Sequence, residues 1–171
     1  MKALLSVSAI LFSSLTAMAA FQPAGEFAAP HSIVMPTYQD KAACEADQGT
    51  WEAQEGEEGM CFFGAEDTVS VKADGVEFSV SVSNVTTNGH ECSFEGKGKM
   101  TGERLMEASM PSDLWVPGEN GAEGKFVDAV CRIQLAYEDD NTVSVSPITQ
   151  AECRSMCGAR AALYVEKAAR K

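Results

Sequence analysis

Apolar and polar residues alternate along most of the chain after residue 67. Val69 and Val71 are separated by polar residues, and the apolar members of residues 78–83 are separated by serines. This period of two predicts half-buried β-strands, and the Asp74-Gly75 step between the two runs is a strong hairpin signal. Further runs of the same kind raise the expected count to about six to eight antiparallel strands, so we predict a mainly β fold, a small barrel or sandwich.

Residues 37–64 follow a different pattern. Thr37 and Asp40 suit a helix start, and residues 38–47 can form a short helix that ends near Gly49. Two short strands are then expected, around Trp51 and around residues 61–63. The sequence therefore predicts a short N-terminal helix-hairpin subdomain.

The first residues have the features of a secretory signal peptide. Lys2 precedes an apolar stretch, residues 3–15, and the small-residue sequence Ala17-Met18-Ala19 follows it. We therefore predict that residues 1–20 are removed, by cleavage after Ala19 or Ala20. The apolar stretch is too short to span a bilayer comfortably, so the mature chain is expected to be periplasmic or secreted, without membrane insertion.

We expect three parts after the signal peptide. Residues 21–36 contain three prolines and are expected to form an extended or mobile leader. Residues 37–64 form the helix-hairpin cysteine module, and residues 65–171 form the antiparallel β domain.

All six cysteines lie after the predicted cleavage site, and an even number in an exported chain predicts three disulfides. Cys44 is expected to pair with Cys61 inside the module. A hairpin turning at residues 138–142 brings residue 131 close to residue 153, which favours Cys131–Cys153 together with Cys92–Cys157. The alternative, Cys92–Cys131 with Cys153–Cys157, remains open because sequence alone does not fix connectivity.

The chain is strongly acidic. Its formal net charge is −12, and it becomes −13 without the signal peptide, whose only charged residue is Lys2. Such a chain repels nucleic acid and anionic membranes, and it attracts a cationic protein partner.

Two segments are candidates for binding that partner. One is the acidic loop of residues 52–58, with Glu55, Glu57 and Glu58. The other is residues 111–125, which the prolines and glycines predict to be a long recognition loop, with Leu114, Trp115 and Val116 as an apolar island. A plain connection with Trp115 folded inward is the alternative for the second segment.

No pattern of catalytic or metal-ligating residues is present. The chain has no G-x-S-x-G sequence, and its two histidines, His31 and His90, lie in the leader and in a turn. It also has no C-x-x-C knuckle or paired histidines of the kind that bind zinc. We therefore predict no enzyme activity, no cofactor and no metal; Asn84-Val85-Thr86 is a sequon for N-glycosylation.

Two stretches resemble known families. Residues 43–51, ACEADQGTW, closing at Cys61, resemble a small helix-and-hairpin cysteine module of exported bacterial proteins. Residues 153–161, CRSMCGARA, with residues 92–94 and 131–135 upstream, resemble the small periplasmic lysozyme-inhibitor-like β domains of Gram-negative bacteria.

The resemblance implies a partner that agrees with the charge, because lysozymes of this kind are generally cationic. We therefore expect an exported, acidic, disulfide-rich binding protein, with a periplasmic lysozyme inhibitor as the specific case. The alternative is an envelope structural or assembly protein without an enzyme target.

Overall fold

The computed structural model describes residues 21–53, 58–86, 89–119, 122–157 and 161–171. Two short helices and a 3-10 turn are present in this part of the chain: α1 (Lys41–Ala46), α2 (Gln150–Cys153) and the turn Arg154–Met156. The strands are β1 (Gly25–Val34), β2 (Thr50–Glu52), β3 (Met60–Asp74), β4 (Glu77–Val85), β5 (Glu91–Met100), β6 (Leu105–Val116), β7 (Lys125–Tyr137), β8 (Thr142–Pro147) and β9 (Val165–Arg170).

Eight of the strands form a closed antiparallel barrel. Neighbours pair in the order β1, β9, β8, β7, β6, β5, β4, β3, and β1 pairs again with β3 to close the ring. The extra strand β2 pairs only with the start of β3, where Trp51 faces Cys61. The structure therefore shows a mainly β barrel, which is one of the two architectures predicted from the alternation.

Apolar side chains fill the barrel. Every second residue of each strand points inward, and a barrel of eight strands is just wide enough for side chains to fill it. The largest fully buried side chains include Phe94, Met106, Ile133 and Leu135. Cys131, Ile133 and Leu135 alternate with more exposed residues along β7, and all three are buried.

The antiparallel topology gives the barrel two different ends. The end that we call the turn end carries the short connections at residues 75–76, 101–104 and 138–141, together with the first described residues, 21–24. The other end, which we call the cystine end, carries the longer connections and all three disulfides.

The N-terminal residues close the turn end. Phe21 packs edge-on against Tyr137, and the Arg104 guanidinium lies 4.9 Å from the centre of the Phe21 ring. The Tyr137 hydroxyl donates to the carbonyl of Pro23 at 3.0 Å. Arg170 donates to the carbonyl of Ala24 at 2.7 Å and also to those of Gln22 and Asp140. These contacts make residues 21–24 part of the folded barrel.

Residues 21–36 were predicted to be an extended or mobile leader; the segment is extended, but it belongs to the barrel because it contains β1. This strand pairs with β3 along its whole length, from Gly25 opposite Val71 to Val34 opposite Phe62. Pro30 is tolerated because β1 pairs with β9 only at Phe27 and Ala28, so the strand has a free edge at the proline.

The structure does not show residues 37–64 as a separate helix-hairpin subdomain. The helix is only six residues long, and β3 continues from Met60 to Asp74 across the predicted boundary at residue 65. The helix begins at Lys41, three residues later than the predicted start at residue 38, and Asp40 caps it: its carboxylate accepts the N–H of Ala43 at 2.8 Å. Tertiary pairing with β1 extends the short predicted strand into one wall of the barrel.

Candidate functional site

Three disulfides hold the cystine end together. They are Cys44–Cys61, Cys92–Cys157 and Cys131–Cys153, which are the pairs favoured by the sequence argument. Cys153 and Cys157 therefore belong to different bridges, and they do not form a redox pair with each other. The second and third bridges tie α2 and the turn after it to β5 and β7.

A two-stranded extension projects from this end. β5 pairs with β6 only from Lys97 to Met100, and β8 pairs with β7 only as far as Ile133. Beyond these points, β6 and β7 pair with each other alone. We call this extension, residues 111–116 of β6 and 125–130 of β7, the ribbon.

The ribbon replaces the long loop that was predicted at residues 111–125. Pro111 lies in β6 opposite Val130, and the strand runs on to Val116. Proline is tolerated there because β6 has already separated from β5 and has a free edge. The actual connection is residues 117–124, and the structure describes it except for residues 120–121.

One face of the ribbon exposes an aromatic pair. Trp115 and Phe126 lie directly opposite each other, with ring centres 5.1 Å apart in an edge-to-face arrangement. Trp115 is 49% exposed and Phe126 is 66% exposed. Val130 lies on the same face and is also exposed, and Val116 is exposed on the other face, so the ribbon presents apolar surface of the kind that marks interaction sites.

Carboxylates interrupt this apolar surface. Asp113 and Asp128 are directly opposite each other, one pair further along the face that carries Trp115 and Phe126. Like charges in a directly opposed pair destabilise a sheet, so the fold gains nothing from this arrangement. Glu119 and Glu123 add negative charge at the connection, against the single cation Lys125. The ribbon is therefore both apolar and acidic.

A groove of about 940 Å³ runs beside the ribbon. The ribbon forms one wall with Asp113, Leu114, Trp115 and Phe126, and α2 with its following turn forms the other. The groove is also lined by the following residues outside the ribbon: Pro147, Gln150, Ala151, Cys153, Arg154, Ser155, Ala161, Ala162 and Leu163. The volume lies in the range of sites that bind small molecules or protruding side chains.

The groove walls are held in place by contacts at the root of the ribbon. Thr149 Oγ1 accepts the N–H of Arg132 at 2.8 Å and donates to the carbonyl of Val130 at 3.1 Å. The N–H of Ile148 donates to the carbonyl of Arg132 at 2.7 Å. Together with the Cys131–Cys153 disulfide, these bonds form the groove before any partner arrives.

The structure brings together only some of the predicted partner-binding residues. Leu114, Trp115 and Val116 all lie on the ribbon, and Trp115 points outward rather than into the core. Glu58 is exposed at the same end of the barrel, in the segment that precedes β3. Glu55 and Glu57 lie outside the described residues.

The sequence argument missed the second strand of the site. Phe126, Asp128 and Val130 belong to β7, and they were not among the predicted partner-binding residues. Their spacing of two after Gly124 is the signal that could have revealed an exposed face opposite residues 111–115.

A second polar cluster lies at the cystine end of β1, β3 and β4. His31 Nε2–H donates to the carbonyl of Val85 at 2.7 Å, and Asp67 accepts the N–H of Val85 at 2.9 Å. Burial raises the pKa of Asp67 above its usual value, while the hydrogen bond from Val85 and the nearby His31 oppose the shift. These hydrogen bonds join β1, β3 and β4 to one another.

The sequon residue Asn84 is structural. It is only 3% exposed, and its side-chain amide donates to the carbonyl of Ala162 at 3.3 Å. In the folded protein this side chain is inaccessible to a glycosylating enzyme.

Comparisons of the chain with protein-family models, with curated proteins and with solved structures found no match. Within the described ranges, no group of three or more His, Cys, Asp or Glu residues could hold a metal ion. In that same part of the chain, no helix has the length and apolar character needed to cross a membrane. The ribbon and its groove form the candidate binding site.

Proposed function

We propose that the protein is an exported binding protein that docks a cationic protein through the ribbon, with a lysozyme as the first partner to test. The observation that carries this proposal is the opposed pair Asp113 and Asp128, placed beside the exposed pair Trp115 and Phe126. The opposed carboxylates do not stabilise the sheet, and both rings are exposed to solvent. Together the two pairs fit a partner that has basic groups around an apolar patch.

The two pairs contribute in different ways. Exposed carboxylates attract a basic partner over about 8 Å at physiological salt, so they mainly raise the association rate. Aromatic residues at the centre of an interface contribute most of the binding free energy and mainly slow dissociation. Trp115 and Phe126 are therefore expected to act as anchors, while Asp113 and Asp128 guide the partner.

Export is part of the proposal. The signal-peptide features of residues 1–20 and the three disulfides support an oxidising compartment, the periplasm or the outside of the cell. A scaffold fixed by covalent bonds also binds with little loss of conformational freedom, because the docking surface is already formed.

The test measures binding and inhibition with the purified mature protein and several types of lysozyme. We expect inhibition of cell-wall lysis and a complex that weakens at high salt. Trp115→Ala with Phe126→Ala should raise Kd by about tenfold or more, mainly through faster dissociation. The matched control is Val76→Ala, an exposed apolar residue at the turn end, which should leave Kd unchanged.

Asp113→Asn with Asp128→Asn should slow association and flatten the salt dependence, while changing dissociation little. Absence of binding and inhibition with every lysozyme at micromolar concentration would end the lysozyme hypothesis. Capture of an envelope complex in place of lysozyme would support an assembly role, which is the alternative function.

A further inference from the structure

The groove beside the ribbon offers more than a flat docking face. Its lining is mainly apolar, with Leu114, Pro147 and Leu163 among the side chains that surround it. It shares Asp113, Trp115 and Phe126 with the ribbon, so a partner bound to the ribbon also reaches the groove. An apolar groove beside carboxylates favours an occupant that carries both apolar and basic side chains.

We infer that the groove receives apolar side chains of a cationic amphipathic peptide segment of the partner, while its basic side chains face the ribbon carboxylates. This inference rests on the proposed function, and it adds the chemistry of the segment that is recognised. Burial of one aliphatic side chain in a preformed apolar site accounts for a large part of the affinity of such complexes.

The charges of the two walls determine which wall the basic side chains of the bound segment face. Asp113 lies on the ribbon wall, and Arg154 lies on the opposite wall beside Ser155. Asp128, Glu119 and Glu123 continue the negative charge on the ribbon side. The basic side chains of the occupant are therefore directed toward the ribbon and away from Arg154.

The first experiment uses two synthetic peptides rather than a natural partner. One alternates Lys and Leu, and the other has Ser at every Leu position, so the two carry the same charge. Calorimetry should show at least about tenfold tighter binding of the Lys-Leu peptide, because only this peptide can fill the groove. Equal affinities, or no binding of either peptide, would overturn the inference whatever the result with lysozyme.

A fluorescence measurement places the peptide. The chain contains two tryptophans, Trp51 and Trp115, and only Trp115 lines the groove. In a Trp51→Phe variant, the emission of Trp115 should shift to shorter wavelength with the Lys-Leu peptide and not with the Lys-Ser peptide. An unchanged emission during binding would place the peptide elsewhere and contradict the inference.

Filling the groove provides the matched variants. Ala151 is an exposed residue of α2 that lines the groove, and Ala42 is an exposed residue of α1 that does not. Ala151→Phe should remove the preference for the Lys-Leu peptide, whereas Ala42→Phe should preserve it. If Ala151→Phe keeps the full preference, the groove is not the site, although lysozyme binding through the ribbon would still stand.

Arg154→Gln tests the charge of the occupant. Removal of this guanidinium should tighten binding of the Lys-Leu peptide by a few fold, because a repulsion across the groove is lost. Weaker binding would show that the peptide makes favourable contacts with Arg154, and it would contradict the proposed orientation.

Discussion

The two ends of the barrel are stabilised by different chemistry. The turn end is closed by hydrogen bonds and ring contacts around Phe21, Tyr137 and Arg170. The cystine end carries every disulfide, and its strands separate to form the ribbon and the groove. Strands that extend beyond the barrel lose their hydrogen bonds to neighbouring strands, and at this end disulfides provide stabilisation in their place.

This difference suggests a division of roles between the ends. The turn end uses non-covalent contacts where strands already meet in short connections, so its task is closure of the core. The cystine end holds an extension with opposed carboxylates, which destabilise a sheet, and with aromatic rings that remain exposed to solvent. Such features are typical of a surface that is kept for binding.

Removal of the Cys131–Cys153 bridge is expected to have the largest effect. Cys131→Ala with Cys153→Ala opens a loop of sequence separation 22, and the chain-entropy model predicts a loss of about 3 kcal/mol in the free energy of unfolding. The variant should also lose binding to the Lys-Leu peptide, because α2 is no longer tied to β7. Urea denaturation and calorimetry measure the two effects.

The matched control for that variant is the first bridge. Cys44→Ala with Cys61→Ala opens a loop of similar separation, 17, so the loss of stability should be similar. Peptide binding should survive under conditions where the protein remains folded. Loss of binding in both variants would show that the bridges support the surface only through global stability.

Arg170→Met should have the next largest effect, on stability alone. The side chain keeps its length, but it loses the hydrogen bonds to the carbonyls of Gln22, Ala24 and Asp140. We expect a loss of about 2 kcal/mol in urea denaturation, with peptide affinity unchanged. Lys99→Met, at an exposed position of β5, is the control; a fall in affinity with Arg170→Met would refute the separation between the ends.

Tyr137→Phe should cost about 1 kcal/mol, because the hydrogen bond to Pro23 is lost. Burial also raises the pKa of Tyr137 above its usual value. A group whose pKa is raised by folding contributes stability below its unfolded pKa, and that contribution is lost as the pH rises. The wild type should therefore lose stability above pH ~10, and Tyr137→Phe should lose less over the same range.

Asp67→Asn is expected to have the smallest effect. Burial raises the pKa of Asp67, so this group favours the folded state at low pH and the contribution falls as the pH rises through the raised pKa. Asparagine has the same shape, and it can still accept the N–H of Val85. Stability measured from pH ~4 upward should therefore fall less steeply in the variant than in the wild type; identical slopes would contradict the raised pKa.

The strands and one disulfide pair could be predicted from the sequence because the alternation of apolar residues and the position of a hairpin turn are local features. The alternation of Val69, Val71 and their neighbours identified the barrel strands, and the turn near residue 140 brought Cys131 close to Cys153. The pairing of two segments was not predicted, although residues 21–36 were expected to be extended: the segments around Pro30 and Pro111 both contain a proline within a strand. Each proline lies where its strand has one free edge, and that is a property of the neighbouring strands rather than of the local sequence.

Only one strand of the candidate site was predicted from the sequence, and the reason is related. Trp115 was noticed because an apolar residue stood among prolines and glycines. Phe126 and Asp128 were not, because their importance comes from the cross-strand register that places them opposite Trp115 and Asp113. Register between distant strands depends on the turn that joins them, and the prolines and glycines of that turn gave no unique answer.

The pairing of β1 with β9 has a consequence for how the protein folds. Phe27 lies opposite Arg170, so the ring of strands closes only when β9 reaches β1, which is more than a hundred residues earlier in the chain. Contacts between such distant residues make folding slow, because a long loop must close before they form. We therefore expect the barrel to stay open on one side until β9 is in place, so that closure of the ring is a late step of folding.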